Sequence, residues 1–429
     1  MRDPRLSEAL PELIREGLLS PDQAERIRAH YQAGKEQVGN RQLLVFAILG
    51  SLLVGLGIIL IIAHNWDDLP RSLRTLLAFV PVLLGQGLVW YTMRHRPTVV
   101  GWREGGAVLL ACGLCACVAL ISQIHHIEGE LSGYLLTCSL LIAPLLYLPG
   151  SFVVALGYLA FVTWYGTAVR SEGWGATDLP WMALPLLAIF VPYYLQRARQ
   201  DGGSVGFWWL SLFAAVSFAT ISQLFYREWT MLHVLGLVAL SAAFTLVPWF
   251  TSRPELRIWP WVLVGGLGQL VLFFIFSFRP VWEELLDEPV RTMGADAVPV
   301  AILLAIGAGA ILLAARRRRP LERWPYPEGF ILFLLAYMVG LASPSLAVVL
   351  INLALLAMGV VTVRHGIEQG SLRRMNLGLS VLSLTILLRF FDTDLSFVVR
   401  GLVFIAIGAG FLYMNMRLVR QRQQHESTK

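Results

Sequence analysis

Charge is the first thing this chain lacks. Asp, Glu, Lys and Arg make up 14% of its 429 residues, against about 25% in an ordinary soluble domain. Hydrophobic residues make up 56%, and the mean hydropathy is +0.65. That balance excludes a soluble globular enzyme, and it excludes disorder, which needs low hydrophobicity and high charge. Lysine is nearly missing: Lys35 and Lys429 are the only two, so the 34 basic residues are almost all Arg. Cysteine is scarce as well. Cys112, Cys115, Cys117 and Cys138 all lie in apolar runs, where small residues serve close helix packing better than redox or metal chemistry. The Gly-x-x-x-x-Gly-Lys-[Ser/Thr] string of a phosphate-binding loop and the His-Glu-x-x-His string of zinc proteases are missing, which argues against ATP-driven transport within this chain and against a membrane metalloprotease. No cofactor and no catalytic residue is nominated.

What is present is apolar length. A membrane helix needs about 20 apolar residues, and fourteen such spans can be marked between Gln42 and residue 416. The span at 329–342 is short and reads equally as re-entrant. The runs are continuous, unlike the alternating ten-residue strands of an outer-membrane barrel. The expected fold is therefore all-α, a polytopic helical membrane bundle of about 14 transmembrane helices.

Residues 1–41 precede the first span and read as a cytoplasmic helical hairpin. Leu6, Leu10, Leu13 and Ile14 share a helical spacing, and Gly17 suits a helix stop. Ser20-Pro21-Asp22-Gln23 then reads as a helix start, with Ser at the N-cap, Pro at the first turn and Gln closing a capping box. A hairpin of some 35 residues is too small to be stable alone, so residues 1–41 are expected to dock on the membrane domain, a second copy or a protein partner.

The few charges are not scattered. With the N-terminus in the cytoplasm and strict alternation, 26 of the 34 Lys and Arg fall on the inner side and 8 on the outer, while the 28 acids divide equally. The net charge is then +12 inside and −6 outside, the asymmetry that orients inner-membrane proteins. Both termini are expected in the cytoplasm, in a bacterial inner membrane. The run Arg316-Arg317-Arg318-Arg319 reads as an anchor meeting anionic lipid. Although the isoelectric point near 9.3 raises nucleic acid as a partner, nothing near that run resembles a base reader, so the expected partner is the lipid bilayer and no nucleic acid.

A repeat runs beneath this pattern. Ala119-Leu120-Ile121-Ser122-Gln123 recurs as Ala219-Thr220-Ile221-Ser222-Gln223, each at the outer end of a span, and Ala305-Ile306-Gly307-Ala308-Gly309 recurs as Ala406-Ile407-Gly408-Ala409-Gly410. The period is about four spans, and an even number gives parallel repeats. The organisation expected is a leading two-helix unit at 42–104, repeat one at 105–203, repeat two at 204–328, a third repeat at 329–416 and a basic tail at 417–429.

Several strings carry a family resemblance. They are Leu18-Leu19-Ser20 with Gln23-Ala24, Ile62-Ala63-His64-Asn65-Trp66-Asp67, Ile121-Ser122-Gln123-Ile124-His125 and Arg389-Phe390-Phe391-Asp392. The chain resembles bacterial multi-pass membrane proteins whose N-terminal region is a domain of unknown function (number 2157). The resemblance is best over roughly residues 5–170, with a weaker echo in the last 90, and implies an inner-membrane protein. It implies no activity.

Polar groups beside a bilayer are functional candidates by default. They collect at the outer ends of spans: His64, Asn65, Asp67, Gln123, His125, His126, Gln223, Arg389, Asp392 and Arg400. Together they are read as one outward-facing polar cavity, with the arginines suited to an anionic group. The spacing His125-His126-x-Glu128 fits no standard metal motif, since adjacent side chains leave a helix on different faces, and no metal is assigned. Gln86, Gln269, Asn352 and Asn376 read as amides bonding between helices. Pro81, Pro144, Pro185 and Pro192 are expected to break their spans. The function expected is transporter-like, binding or moving a small or lipid-linked molecule. The alternative is a scaffold, assembly factor or sensor that docks a partner through the N-terminal hairpin. A membrane enzyme acting through His125 and His126 is a weaker third reading.

Overall fold

In a computed structural model, the described residues are 69–97, 99–172, 179–226, 231–247, 257–287 and 329–392, together with Arg15, Ser20, Gln23, Ala301, Leu304, Ala305, Gly307, Ala308, Gly309, Leu312, Ile405 and Ala409. These residues form helices joined by turns, without strands. The chain divides into two compact units, residues 1–77 and 78–429.

In the first unit, the capping box expected from the sequence is present. The backbone N–H of Gln23 donates to the Ser20 hydroxyl at 3.3 Å, and the Ser20 N–H donates to the Gln23 side-chain oxygen at 3.0 Å. Two backbone donors at a helix start thus meet side-chain acceptors reciprocally, and the Gln23 N–H also reaches the Ser20 carbonyl at 3.1 Å. Arg15 is helical and exposed; the rest of the proposed hairpin lies outside the described residues.

The helices that follow are α1 (Arg71–His95), α2 (Val100–Ile124), α3 (Leu131–Tyr147), α4 (Phe152–Glu172), α5 (Ala183–Asp201), α6 (Val205–Gln223), α7 (Met231–Leu246), α8 (Trp259–Ile275), α9 (Arg279–Asp287), α10 (Gly329–Ala342), α11 (Pro344–Glu368) and α12 (Leu372–Asp392). Five are long and apolar enough to cross a membrane: α1, α2, α4, α6 and α11. The α3, α7 and α10 helices are shorter and apolar. At 1.5 Å per residue, the 14 residues of α10 reach about 21 Å, short of a hydrocarbon core of about 30 Å.

The prolines do not break their helices. Pro81 lies inside α1, Pro144 inside α3 and Pro192 inside α5, each continuous through the proline, and Pro185 stands in the first turn of α5, where a missing N–H costs nothing. The break falls elsewhere. The α8 and α9 helices bend by 90° across Phe276-Ser277-Phe278. Backbone freed in an apolar setting must find protein partners, and here it does. The Trp282 indole N–H donates to the Phe276 carbonyl at 2.7 Å, and the Asn352 amide donates to the Ser277 carbonyl at 3.2 Å. Asn352 therefore serves as the interhelical amide expected of it.

Among the described residues, one core cluster gathers α7 to α11 with Val381 of α12. Trp282 and Phe276 meet edge to face at 5.2 Å, and Phe333 joins Phe276 in the same geometry at 5.0 Å. Val238, Phe273, Ile351 and Leu355 complete this cluster.

Neighbouring helices approach at glycine. A methyl group on Gly85 of α1 would stand 2.6 Å from the Leu110 Cα of α2. On Gly265 of α8 it would meet the Ser241 carbonyl of α7 at 2.5 Å, and on Gly366 of α11 the Met375 backbone N of α12 at 2.5 Å. The glycines thus act as packing residues, letting backbones touch.

Candidate functional site

Loops that charge alone assigned to one side meet in space. At one end, α2 begins, α3 turns into α4, and α5 gives way to α6. The Glu104 carboxylate accepts from the Ser151 hydroxyl and from the backbone N–H groups of Phe152 and Val153, each at 3.1 Å. It thus caps the positive end of α4. Arg197 of α5 donates to the Gly150 carbonyl, just past the negative end of α3. Gly150 turns the chain there at φ 60°, in the left-handed region where glycine carries no penalty. Arg197 is 7% exposed. It stacks on Phe152 at 4.7 Å, pairs with Asp201 at 2.9 Å and donates to the Tyr193 hydroxyl at 3.3 Å. The α3–α4 turn is thus held by an acid at one helix end and a base at the other. Sequence reading passed over Glu104. The signal was an acid directly before an apolar span.

At the other end, α6 passes into α7. Gln223 ends α6 and is half-buried. Its side-chain oxygen lies 2.6 Å from His233 Nε2 on α7. An amide oxygen only accepts, so with the amide in this orientation the partner is the Nε2–H tautomer of His233. The Gln223 amide nitrogen donates to the Ser222 hydroxyl at 3.0 Å. The His233 ring stacks on Tyr226 at 4.0 Å, with 17° between the planes. Beside this pair opens a cavity of about 230 Å³ between α6, α7 and α8. Leu237, Leu240, Phe244 and Val264 form apolar walls, and Thr220, Gln223 and Ser241 supply polar groups. It is smaller than the roughly 300–1,000 Å³ of a drug-sized site. It suits a chain segment or a small head rather than a large ligand. His233 was missed by sequence reading, although a lone ionisable residue inside an apolar span is the signal to follow.

The other candidates fall as follows. Gln123, His125 and His126 are exposed at the end of α2 and are not among the residues lining that cavity. His126 has a structural assignment. It sits at φ 49° and closes α2 with two bonds, its own N–H to the Gln123 carbonyl at 3.4 Å and the Ile127 N–H to the Ser122 carbonyl at 2.9 Å. This is a Schellman stop with His in the place usually held by Gly. Arg389 and Asp392 lie in the last turn of α12, with side chains outside the described residues. His64, Asn65, Asp67 and Arg400 also lie outside them. The matched strings Ile-Ser-Gln both form last helical turns, but Gln223 contacts the neighbouring helix while Gln123 faces outward. Among the described residues, no group of three His, Cys, Asp or Glu is placed to hold a metal.

Gly202-Gly203-Ser204-Val205-Gly206 has the Gly-x-Ser-x-Gly spacing of a nucleophile elbow. That motif needs a strand leading into the turn, whereas here it joins α5 to α6. The Ser204 hydroxyl instead accepts from the Phe207 N–H at 3.0 Å as the N-cap of α6.

Long apolar helices joined by short polar turns define a membrane-embedded, multi-pass helical protein. Residues 11–168 match the family model described as Predicted membrane protein (DUF2157), which bears out the resemblance read from the hairpin and the Ile-Ser-Gln string. No curated protein and no solved structure matches the chain.

Proposed function

We propose that this is a bacterial inner-membrane protein with both termini cytoplasmic, transporter-like in build, which binds or moves a small or lipid-linked molecule. The observation that carries this reading is the cavity between α6, α7 and α8, apolar along its walls and headed by the Gln223–His233 pair. An apolar groove beside a polar pair fits a molecule with a hydrocarbon tail and a hydrogen-bonding head. The orientation draws support from the loops that converge. Arg197, Glu104 and Ser151 meet at the end assigned to the cytoplasm, and the Arg257 N–H bonds the Gly202 carbonyl there at 2.8 Å. Trp181 and Phe225 meet at the opposite end, 5.2 Å apart. The parallel repeat draws support from packing, since α2 and α3 both contact α4 as α6 and α7 both contact α8.

The test uses the full chain in proteoliposomes with a photoreactive polyprenyl phosphate. Labelled peptides from α6 to α8 are expected, and Leu240→Trp, which fills the cavity, removes them. Labelling that survives Leu240→Trp would overturn the reading.

The second reading is a scaffold docking through residues 1–41. It draws on the Ser20–Gln23 capping box, a well-formed helix start in a segment too small for its own core. Deleting residues 1–38 then abolishes capture of a partner while the membrane domain keeps its melting temperature. Capture that persists after the deletion would sink it.

A further inference from the structure

The α1–α2 connection combines three arginines with aromatic side chains and nothing to neutralise them. From Leu69 to Arg103 the chain carries no Asp or Glu. Arg94 and Arg96 are exposed and Arg103 is half-buried. None of the three makes an ion pair among the described residues, and Arg103 Nε is a buried donor without a hydrogen-bond partner there. The one acid beside them, Glu104, is fully engaged in capping α4. Tyr91 and Trp102 face each other across the turn, with ring centroids 5.8 Å apart, and Trp90 is 66% exposed. Both helices are long and apolar enough to cross a membrane, so their connection sits at the headgroup level, the depth at which Trp and Tyr anchor.

We infer that this turn binds the headgroup of an anionic phospholipid, with Arg96 and Arg103 holding the phosphate and Trp90, Tyr91 and Trp102 bracketing the glycerol and upper acyl chains. Guanidinium groups match phosphate oxygens in a bidentate manner. A phosphate also supplies the acceptor that Arg103 Nε lacks among the described residues. The site lies apart from the α6–α8 cavity and does not depend on the function proposed for it.

The test is native mass spectrometry of the delipidated full chain, offered equal amounts of phosphatidylglycerol and phosphatidylcholine in detergent. The wild type is expected to retain phosphatidylglycerol preferentially. Each basic residue near an anionic surface contributes about a fivefold change in binding, so Arg96→Gln lowers the preference about fivefold, and Arg96→Gln with Arg103→Gln about 25-fold. Arg364→Gln, whose arginine is already paired with Glu368 at 2.8 Å, leaves the preference unchanged. Arg96 is exposed, so its single replacement decides the matter if the double variant fails to fold. Equal retention of the two lipids by the wild type overturns the inference, as does a preference that survives Arg96→Gln. Displacement of the lipid by millimolar inorganic phosphate would assign the arginines to a free anion, and that also overturns it.

Discussion

Replacing Arg197 with Met keeps the stem that packs beneath the turn and removes the guanidinium. Three losses follow. The Gly150 carbonyl, half-buried, loses its donor, and an unpaired buried acceptor costs about 1–3 kcal/mol, toward the lower end here. The stack on Phe152 at 4.7 Å contributes about 0.5–1 kcal/mol. The pair with Asp201, whose side chain is 43% exposed, contributes only about 0.3–0.5 kcal/mol as an i,i+4 pair in partial contact with water. Tyr193 loses little, because its hydroxyl still donates to the Ser151 carbonyl at 3.0 Å. The total is about 2–3 kcal/mol. At roughly 2–4 °C per kcal/mol for a large domain, the apparent melting temperature of the purified protein, followed by tryptophan fluorescence, falls by roughly 4–12 °C. Arg197→Lys falls in between, since an ammonium keeps the charge but has no fork to span Gly150 and Asp201. Arg279→Met is the control, because the Arg279–Glu283 pair stands 64% and 45% exposed and shifts melting by about a degree or less. The reasoning is refuted if Arg197→Met melts within a degree of the wild type, or if Arg279→Met costs as much.

Three further outcomes are expected. Glu104→Ala strips the acceptor from two backbone N–H groups at the start of α4 and lowers stability by about 1–2 kcal/mol, measured as a shift in the same melting curve; an unchanged curve contradicts the cap. His126→Gly relieves a left-handed residue and leaves stability equal or up to about 1 kcal/mol higher, whereas His126→Val destabilises; the reverse order contradicts the Schellman assignment. Gly366→Leu forces a side chain against Met375 backbone and costs about 1–3 kcal/mol by overpacking, read as a melting shift, while Gly87→Leu, with nothing within 4 Å of the added Cβ, costs less than 1 kcal/mol.

Local chemistry was legible in the sequence, and tertiary chemistry much less so. Ser20 and Gln23 sit three residues apart and form the box their spacing requires, because a cap depends on neighbours in the chain. Glycine's role as a packing residue followed from an apolar chain in which small residues let helices approach. The prolines misled, since composition shows where a backbone N–H is missing but not whether the helix around it holds. The actual break at 276–278 stands just before Pro280, a proline the reading passed over, which has no N–H to give the Phe276 carbonyl; the freed backbone is held by Trp282 and by Asn352, 75 residues away from Ser277. Gln223 was legible as a candidate through its repeat. Its partner His233 carried the signal of a lone ionisable residue in an apolar span, but nothing in the string 231–250 says that it faces α6. The outward cluster of ten residues was a statement about depth in the membrane. Depth alone does not decide azimuth, which is why Gln123 and Gln223 stand at matching helix ends with unlike neighbours.

The glycine contacts decide which parts of this protein can move. Where a backbone touches a backbone, as at Gly85 against Leu110, Gly265 against Ser241 and Gly366 against Met375, rotation or sliding of one helix on the other brings a side chain into the space that only hydrogen occupies. The pairs α1–α2, α7–α8 and α11–α12 are therefore packed backbone against backbone. The Gln223–His233 bond joins α6 to that close-packed α7–α8 pair.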